Sequence, residues 1–167
     1  INLTDSLEKY CNSYGGEVLY TLEDGVDEYT GDWQFGVPNY ELYGGAKNSS
    51  IWGTNLYGNY SDNTNSELIL REVSIKPFGK VYLIFKQWLD IPDRSDYGKI
   101  LASCDGYNWE EVTPLAGYST EDGFTGCERI WSRVIVPLPV GTNLQVKFVF
   151  ETNSTVNGAG RYLDDIK

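Results

Sequence analysis

From Leu144 to Thr152 apolar and polar positions alternate, with Leu144, Val146, Phe148 and Phe150 on one side and Gln145, Lys147, Val149 and Glu151 on the other. A period of two places the sets on opposite faces of a pleated strand, so the segment predicts a half-buried antiparallel strand. Val81 to Leu89 and Ile130 to Leu138 are more continuously apolar. They predict central strands, the second ended by Pro137 and Pro139. Shorter strands are expected over Glu17 to Leu22, Asp32 to Phe35, Ser50 to Thr54, Glu67 to Ile75, Lys99 to Ser103, Trp109 to Val112 and Arg161 to Ile166. Turn signals separate them, among them Asp24-Gly25, Pro77-Phe78-Gly79, Asp105-Gly106, Asp122-Gly123 and Asn157-Gly158. Roughly ten short strands without a sustained helical period imply an all-β chain of two packed antiparallel sheets. Only Thr4 to Tyr10 suits a short helical turn.

At 167 residues the chain can bury one sizeable core. Residues 1–16 are polar and end in Gly15-Gly16, so they are expected to form an extension, and residues 17–167 the β-sandwich domain. The opening Ile1-Asn2-Leu3-Thr4-Asp5 lacks the basic start and apolar stretch of a signal peptide, which suggests a mature or excised piece. No apolar run is long enough to span a bilayer.

Charge and cysteine content narrow the partners. Asp and Glu number 24 against 13 Lys and Arg, a net charge of -11, so a phosphate backbone is repelled and nucleic acid is excluded as a partner. Sequons at Asn2, Asn48, Asn59 and Asn153 are the glycosylation candidates of an exported protein. Of the cysteines Cys11, Cys104 and Cys127, the last two each end a predicted strand. A Cys104 to Cys127 disulfide is therefore expected, with Cys11 a spare thiol or an intermolecular link. In a reducing compartment all of them would be small apolar residues instead.

The absence of histidine removes Ser-His-Asp and Cys-His nucleophilic systems and every His-containing metal site. Paired acids for a glycosidase are the remaining enzymatic option, with Glu23, Asp24, Asp27 and Glu28, then Glu110 and Glu111, as the closest clusters. None of these alternates along one strand face as a cleft acid and nucleophile require.

Glu23-Asp24-Gly25 before Trp33, the run Trp52-Gly53-Thr54-Asn55-Leu56-Tyr57-Gly58-Asn59-Tyr60, and Leu83-Ile84-Phe85-Lys86-Gln87-Trp88 together resemble the MAM-like domains attached to immune-inhibitor-A-type secreted peptidases. Tyr97-Gly98-Lys99-Ile100-Leu101-Ala102-Ser103-Cys104-Asp105-Gly106 followed by Trp109, and the closing Arg161-Tyr162-Leu163-Asp164-Asp165-Ile166, extend the resemblance over about residues 18–167. It implies a concanavalin-like jelly roll, exported, acting as an adhesion or accessory module with a structural Ca²⁺. In such jelly rolls the first and last strands are neighbours. The implied ligands are therefore Glu23 or Asp24 with Asp164 or Asp165, and Asp96 as a further acid. The alternative is that Asp164 and Asp165 only solvate a strand end.

Tyr40, Tyr43, Trp52, Tyr57 and Tyr60, interleaved with Gly and Asn, suit either a sugar-stacking or protein-docking surface or ordinary core packing. Two functions follow. The first is a non-catalytic extracellular adhesion module that binds protein or glycan at the cell surface, stabilised by Ca²⁺ and glycosylated. The second is the subunit of an extracellular filament or surface layer, in which copies of the chain join by strand addition through residues 1–16. A carbohydrate-binding or glycosidase domain stands behind both.

Overall fold

The computed structural model describes residues 17–21, 25–39, 49–75 and 79–167. Asn2, Cys11, Glu23, Asp24, Tyr40, Tyr43, Asn48 and the Thr4 to Tyr10 turn lie outside the described residues.

The described strands are β1 (Val26–Tyr29), β2 (Trp33–Gly36), β3 (Ile51–Thr54), β4 (Asn65–Leu70), β5 (Val73–Ser74), β6 (Val81–Asp90), β7 (Tyr97–Ser103), β8 (Glu110–Glu111), β9 (Ser132–Leu138), β10 (Asn143–Glu151) and β11 (Gly160–Asp164). They form an all-β, two-sheet antiparallel jelly-roll sandwich. The front sheet runs β1-β4-β10-β7-β8 with β5 also on β10, and the back sheet runs β2-β3-β11-β6-β9. No helix among the described residues is long and apolar enough to cross a membrane.

Alternation sets the layers. Leu144, Val146, Phe148 and Phe150 of β10 are all buried, and Phe148 meets Phe85 of β6 edge to face at 5.0 Å. Phe150 meets Tyr60 in the same way, also at 5.0 Å. A second, smaller cluster of Ile51, Leu56, Trp88, Ala159 and Tyr162 covers the outer side of the back sheet. It needs Gly53, because a Cβ there would lie 2.6 Å from the Tyr162 ring.

Several expectations are corrected. The Ile130 to Leu138 segment forms β9, an edge strand rather than a central one. Pro137 sits inside it opposite Tyr82, where its missing N–H faces away from β6 and costs no ladder bond. The strand expected over Glu17 to Leu22 does not form in its described residues 17–21. Nor are the first and last described strands neighbours, since β1 pairs with β4 while β11 lies between β3 and β6. The Asp105-Gly106 turn signal falls between β7 and β8. It belongs to a wider loop in which the Asp105 carboxylate accepts bonds from the Tyr107 and Asn108 amides and the Asn108 side chain, and these hold its carboxyl well below the usual range.

The Cys104 to Cys127 bridge is also absent, both thiols being free. Gly98 at the start of β7 pairs with Phe124, three residues before Cys127, whereas Cys104 follows the far end of β7. Six residues at about 3.3 Å each separate the two ends, well beyond the ~7 Å limit between bridged Cα atoms.

Arg161 is fully buried between the sheets, its guanidinium 5.3 Å from both the Phe124 and Phe148 ring centres. Nη1 donates to the Lys99 carbonyl at 3.3 Å, while Nε and Nη2 have no partner among the described residues. Gly98 makes the space, since a Cβ there would lie 2.6 Å from Nη1. Burial without a carboxylate pulls the guanidinium down to about 10. A desolvated, unpaired charge is a cost that an apolar side chain of similar length does not carry. Arg161→Met is therefore expected to match the parent protein or exceed its stability by about 1–4 kcal/mol in urea unfolding. A loss of several kcal/mol would show that the cation itself holds the layers together.

Candidate binding ledge at the open side of the sandwich

The chain passes from the front sheet to the back sheet between β1 and β2, and this corner is fastened at many points. Gly31 takes a φ of 62° and lies so close to Ser66 that a Cβ would collide with its hydroxyl. The Asp32 amide donates to Ser66 Oγ at 2.9 Å, and the Trp33 indole N–H donates to the Ser66 carbonyl at 3.3 Å. The Thr30 amide donates to the Glu67 carbonyl at 2.8 Å. From the other side, the Asp32 carboxylate accepts the Ser61 amide and hydroxyl at 2.6 and 2.8 Å.

The corner sets two aromatic side chains against one another. Tyr29 pairs with Leu68 on the front sheet and Phe35 pairs with Trp52 on the back sheet. Both reach the side where the sandwich is closed only by edge strands. Their rings rest on the buried Trp52, Tyr29 edge-on at 5.2 Å and Phe35 tilted at 5.3 Å, and each is 56% exposed. Trp52 thus supports the ledge from below, fixed by its pairing with Leu163 on β11. Val37, 42% exposed, continues the apolar surface along the chain after β2. Tyr57 stands on the opposite face of β2, where a Cβ on Gly36 would be 3.9 Å from its hydroxyl. Rigid aromatic faces on paired strands are the type of surface that stacks against sugar rings or anchors a protein contact.

The tyrosine-rich surface read from the sequence is therefore mostly corrected. Trp52 and Tyr60 are buried, and of the expected residues among those described only Tyr57 is exposed. Tyr29 was missed because β1 carries a register shift between Val26 and Glu28 that breaks the alternation, whereas Phe35 lies in an expected strand but was not singled out as a surface residue.

Of the implied metal ligands, those among the described residues lie apart, and Glu23 and Asp24 lie outside them. Asp96 is buried and accepts the Tyr60 hydroxyl at 2.8 Å and the Asn153 amide at 2.7 Å, at the end of the sandwich where Gly160 pairs with Asp90. Asp164 and Asp165 lie at the other end of β11, where Asp165 binds Lys86 and burial pushes the Asp164 carboxyl up. Among the described residues no group of three or more Asp, Glu or Cys is placed to hold a metal ion. Of the sequons, Asn59 is exposed, whereas Asn153 is half-buried with its amide 3.4 Å from Asp93. Among the described residues the paired acids do not converge either. Glu110 and Glu111 are neighbours on β8 and point to opposite faces, Glu111 binding Lys99 at 3.0 Å, and Asp27 accepts from Gln145.

The architecture defines the chain as a two-sheet antiparallel β-sandwich domain. A solved structure of TmCBM61 in complex with beta-1,4-galactotriose is similar over 87% of this chain and 91% of that one, with a TM-score of 0.52 and 15% identity, which establishes the shared fold. The K2 cleaved adhesin domain of Lys-gingipain aligns over 88% and 95% with a TM-score of 0.48 and 16% identity. In sequence, the chain is 30% identical over 138 residues to bacillopeptidase F of Bacillus subtilis (strain 168), covering 81% of this chain. The chain spans 9% of the length of that relative. No family model matches it.

Burial, followed by the hydrogen bond to Asp96, pushes the Tyr60 phenol far above its ordinary value. The folded state therefore keeps a proton that the unfolded chain loses near pH 10. The stability contributed by Tyr60 is complete below that pH and declines as pH rises above it. Tyr60→Phe removes this titration and deprives buried Asp96 of a donor. The variant is expected to lose about 1–3 kcal/mol at neutral pH and to show a shallower alkaline decline, both read by thermal unfolding across pH.

Proposed function

We propose that the chain is a non-catalytic, extracellular interaction module that binds glycan on the ledge formed by Tyr29, Phe35 and Trp52. The observation that carries this reading is a pair of half-exposed rings from two different sheets, resting on one buried indole and held by a corner pinned to Ser66. The rings are ordered before any ligand arrives, so little conformational entropy is lost on contact. The lack of histidine and the separation of the acid pairs support a binding role over turnover. The shared fold of a galactotriose-bound module and the MAM-like motifs support the same reading. Secretion and glycosylation at Asn59 belong to it.

Titration calorimetry with beta-1,4-galactotriose and a glycan panel tests it. Binding is expected, and Tyr29→Ala and Phe35→Ala should each weaken it at least about tenfold. Tyr107→Ala, on an exposed ring elsewhere, should leave affinity unchanged. A panel without a ligand, or a ligand indifferent to both ledge substitutions, would reject the site.

Calcium enters the proposal through Glu23 and Asp24 with Asp164. Gly25, which follows them, accepts the Arg71 amide, and Arg71 and Lys167 line one groove at the β11 end. Millimolar Ca²⁺ should then raise the melting temperature and chelator should reverse the rise. Identical curves under both conditions remove the metal.

A second reading, self-assembly by strand addition, is favoured by a separate observation. Among the described residues, one half of β6 has a strand partner on one side only, beside an apolar groove.

A further inference from the structure

The groove is a cavity of about 230 Å³ between Leu70 and Val73 of the front sheet and Val81, Leu83 and Leu138 of the back sheet. It is smaller than the ~300–1,000 Å³ of small-molecule pockets and suits side chains inserted from an added strand. Among the described residues the backbone at its wall is also left unpaired at one position. Lys86, Trp88 and Asp90 pair with β11, and Ile84 exchanges two 2.8 Å bonds with Lys167. Alternation then turns the Tyr82 N–H and C=O toward the line of β11, where no described strand pairs with them. An open edge above an apolar slot is the acceptor geometry of strand addition.

Charge and exposure indicate the donor. Among the described residues Arg71 and Lys80 line the groove with no carboxylate paired to either, and Glu17 is the single acid lining it, in a chain of net charge -11. Val18 and Leu19 stand at its mouth 63% and 41% exposed, so the apolar surface continues outward to where a second molecule would sit. In an extended strand Ile1, Leu3 and Leu7 share one face with Asp5 between them, a pattern complementary to an apolar slot with a cationic rim.

We propose that this groove accepts residues 1–8 of a second copy of the chain as a strand alongside Tyr82 of β6, giving a head-to-tail contact. The proposal rests on the self-assembly reading and is independent of the glycan ledge. Each copy offers one donor and one acceptor, so the contact does not close and assemblies grow with concentration.

Sedimentation velocity of the full chain over a wide concentration range tests it. The unaltered chain should form concentration-dependent multimers. Tyr82→Pro removes the acceptor N–H without breaking a described ladder bond, and Leu3→Asp disables the donor while leaving the groove intact. Each variant alone should remain monomeric, and an equimolar mixture should yield a dimer and nothing larger, since only one donor and one acceptor remain competent. Leu3→Asp alone decides the donor role should Tyr82→Pro fold poorly by circular dichroism. Multimers that persist in both variants would overturn the groove while sparing self-assembly. A chain monomeric at every concentration would overturn both, and a mixture without dimers would show that any strand in the groove comes from the same molecule.

Discussion

Phe85 on one sheet and Phe148 on the other meet edge to face across the middle of the sandwich, and the layers are held by the rows of which these rings are part. The constraint behind them is that each strand must present alternate residues to the facing sheet. A slip of one position would exchange every buried and exposed side chain. Register is therefore strongly specified where both neighbours of a strand are present. β10, paired with β4 and β7 along its length, is the clearest case. Where a neighbour is missing the constraint relaxes, and the surfaces available for binding lie at such margins.

The two open margins differ in physical character. At the β1 and β2 side, the crossing between sheets is locked by Gly31, Asp32 and Trp33 against Ser66, and the exposed rings are supported from beneath by Trp52. That margin is formed by two edge strands and offers aromatic area, which suits a ligand with flat apolar faces and many hydroxyls. At the β6 end no described strand pairs with Tyr82 on the β11 side, and the opening offers both main-chain groups and a slot. It suits a peptide. The ledge and the groove share no residues, so the two proposed contacts would not compete.

The long strands were legible in the sequence because they are paired on both sides or carry an uninterrupted period. β6 and β10 were placed to within a residue of their observed ends. β9 was found but misplaced as a central strand, although Pro137 already argued for an edge. β1 was missed, since Val26-Asp27-Glu28-Tyr29 reads as a polar turn and its bulge erases the period. The ledge was legible only in part. Trp52 was singled out, but its role as a buried support depends on Tyr29 and Phe35, which are distant in sequence and joined only by the folded corner. The disulfide failed for a related reason: strand ends can be recognised from the pattern, but which end of the sandwich each occupies cannot.

Arg161 shows how a departure from local rules can be accommodated. Its position between inward-facing neighbours demands an apolar residue, yet a guanidinium lies there against Phe124 and Phe148, with Gly98 stripped of a side chain to admit it. Flanking rings attract the cation through their π faces but cannot replace the hydration of Nε and Nη2. Burial therefore opposes the charge, and the surrounding packing must hold it in place. The rows led by Phe148 do so because they also bind the sheets together, so the tolerance for one misplaced charge derives from the same alternation that defines the fold.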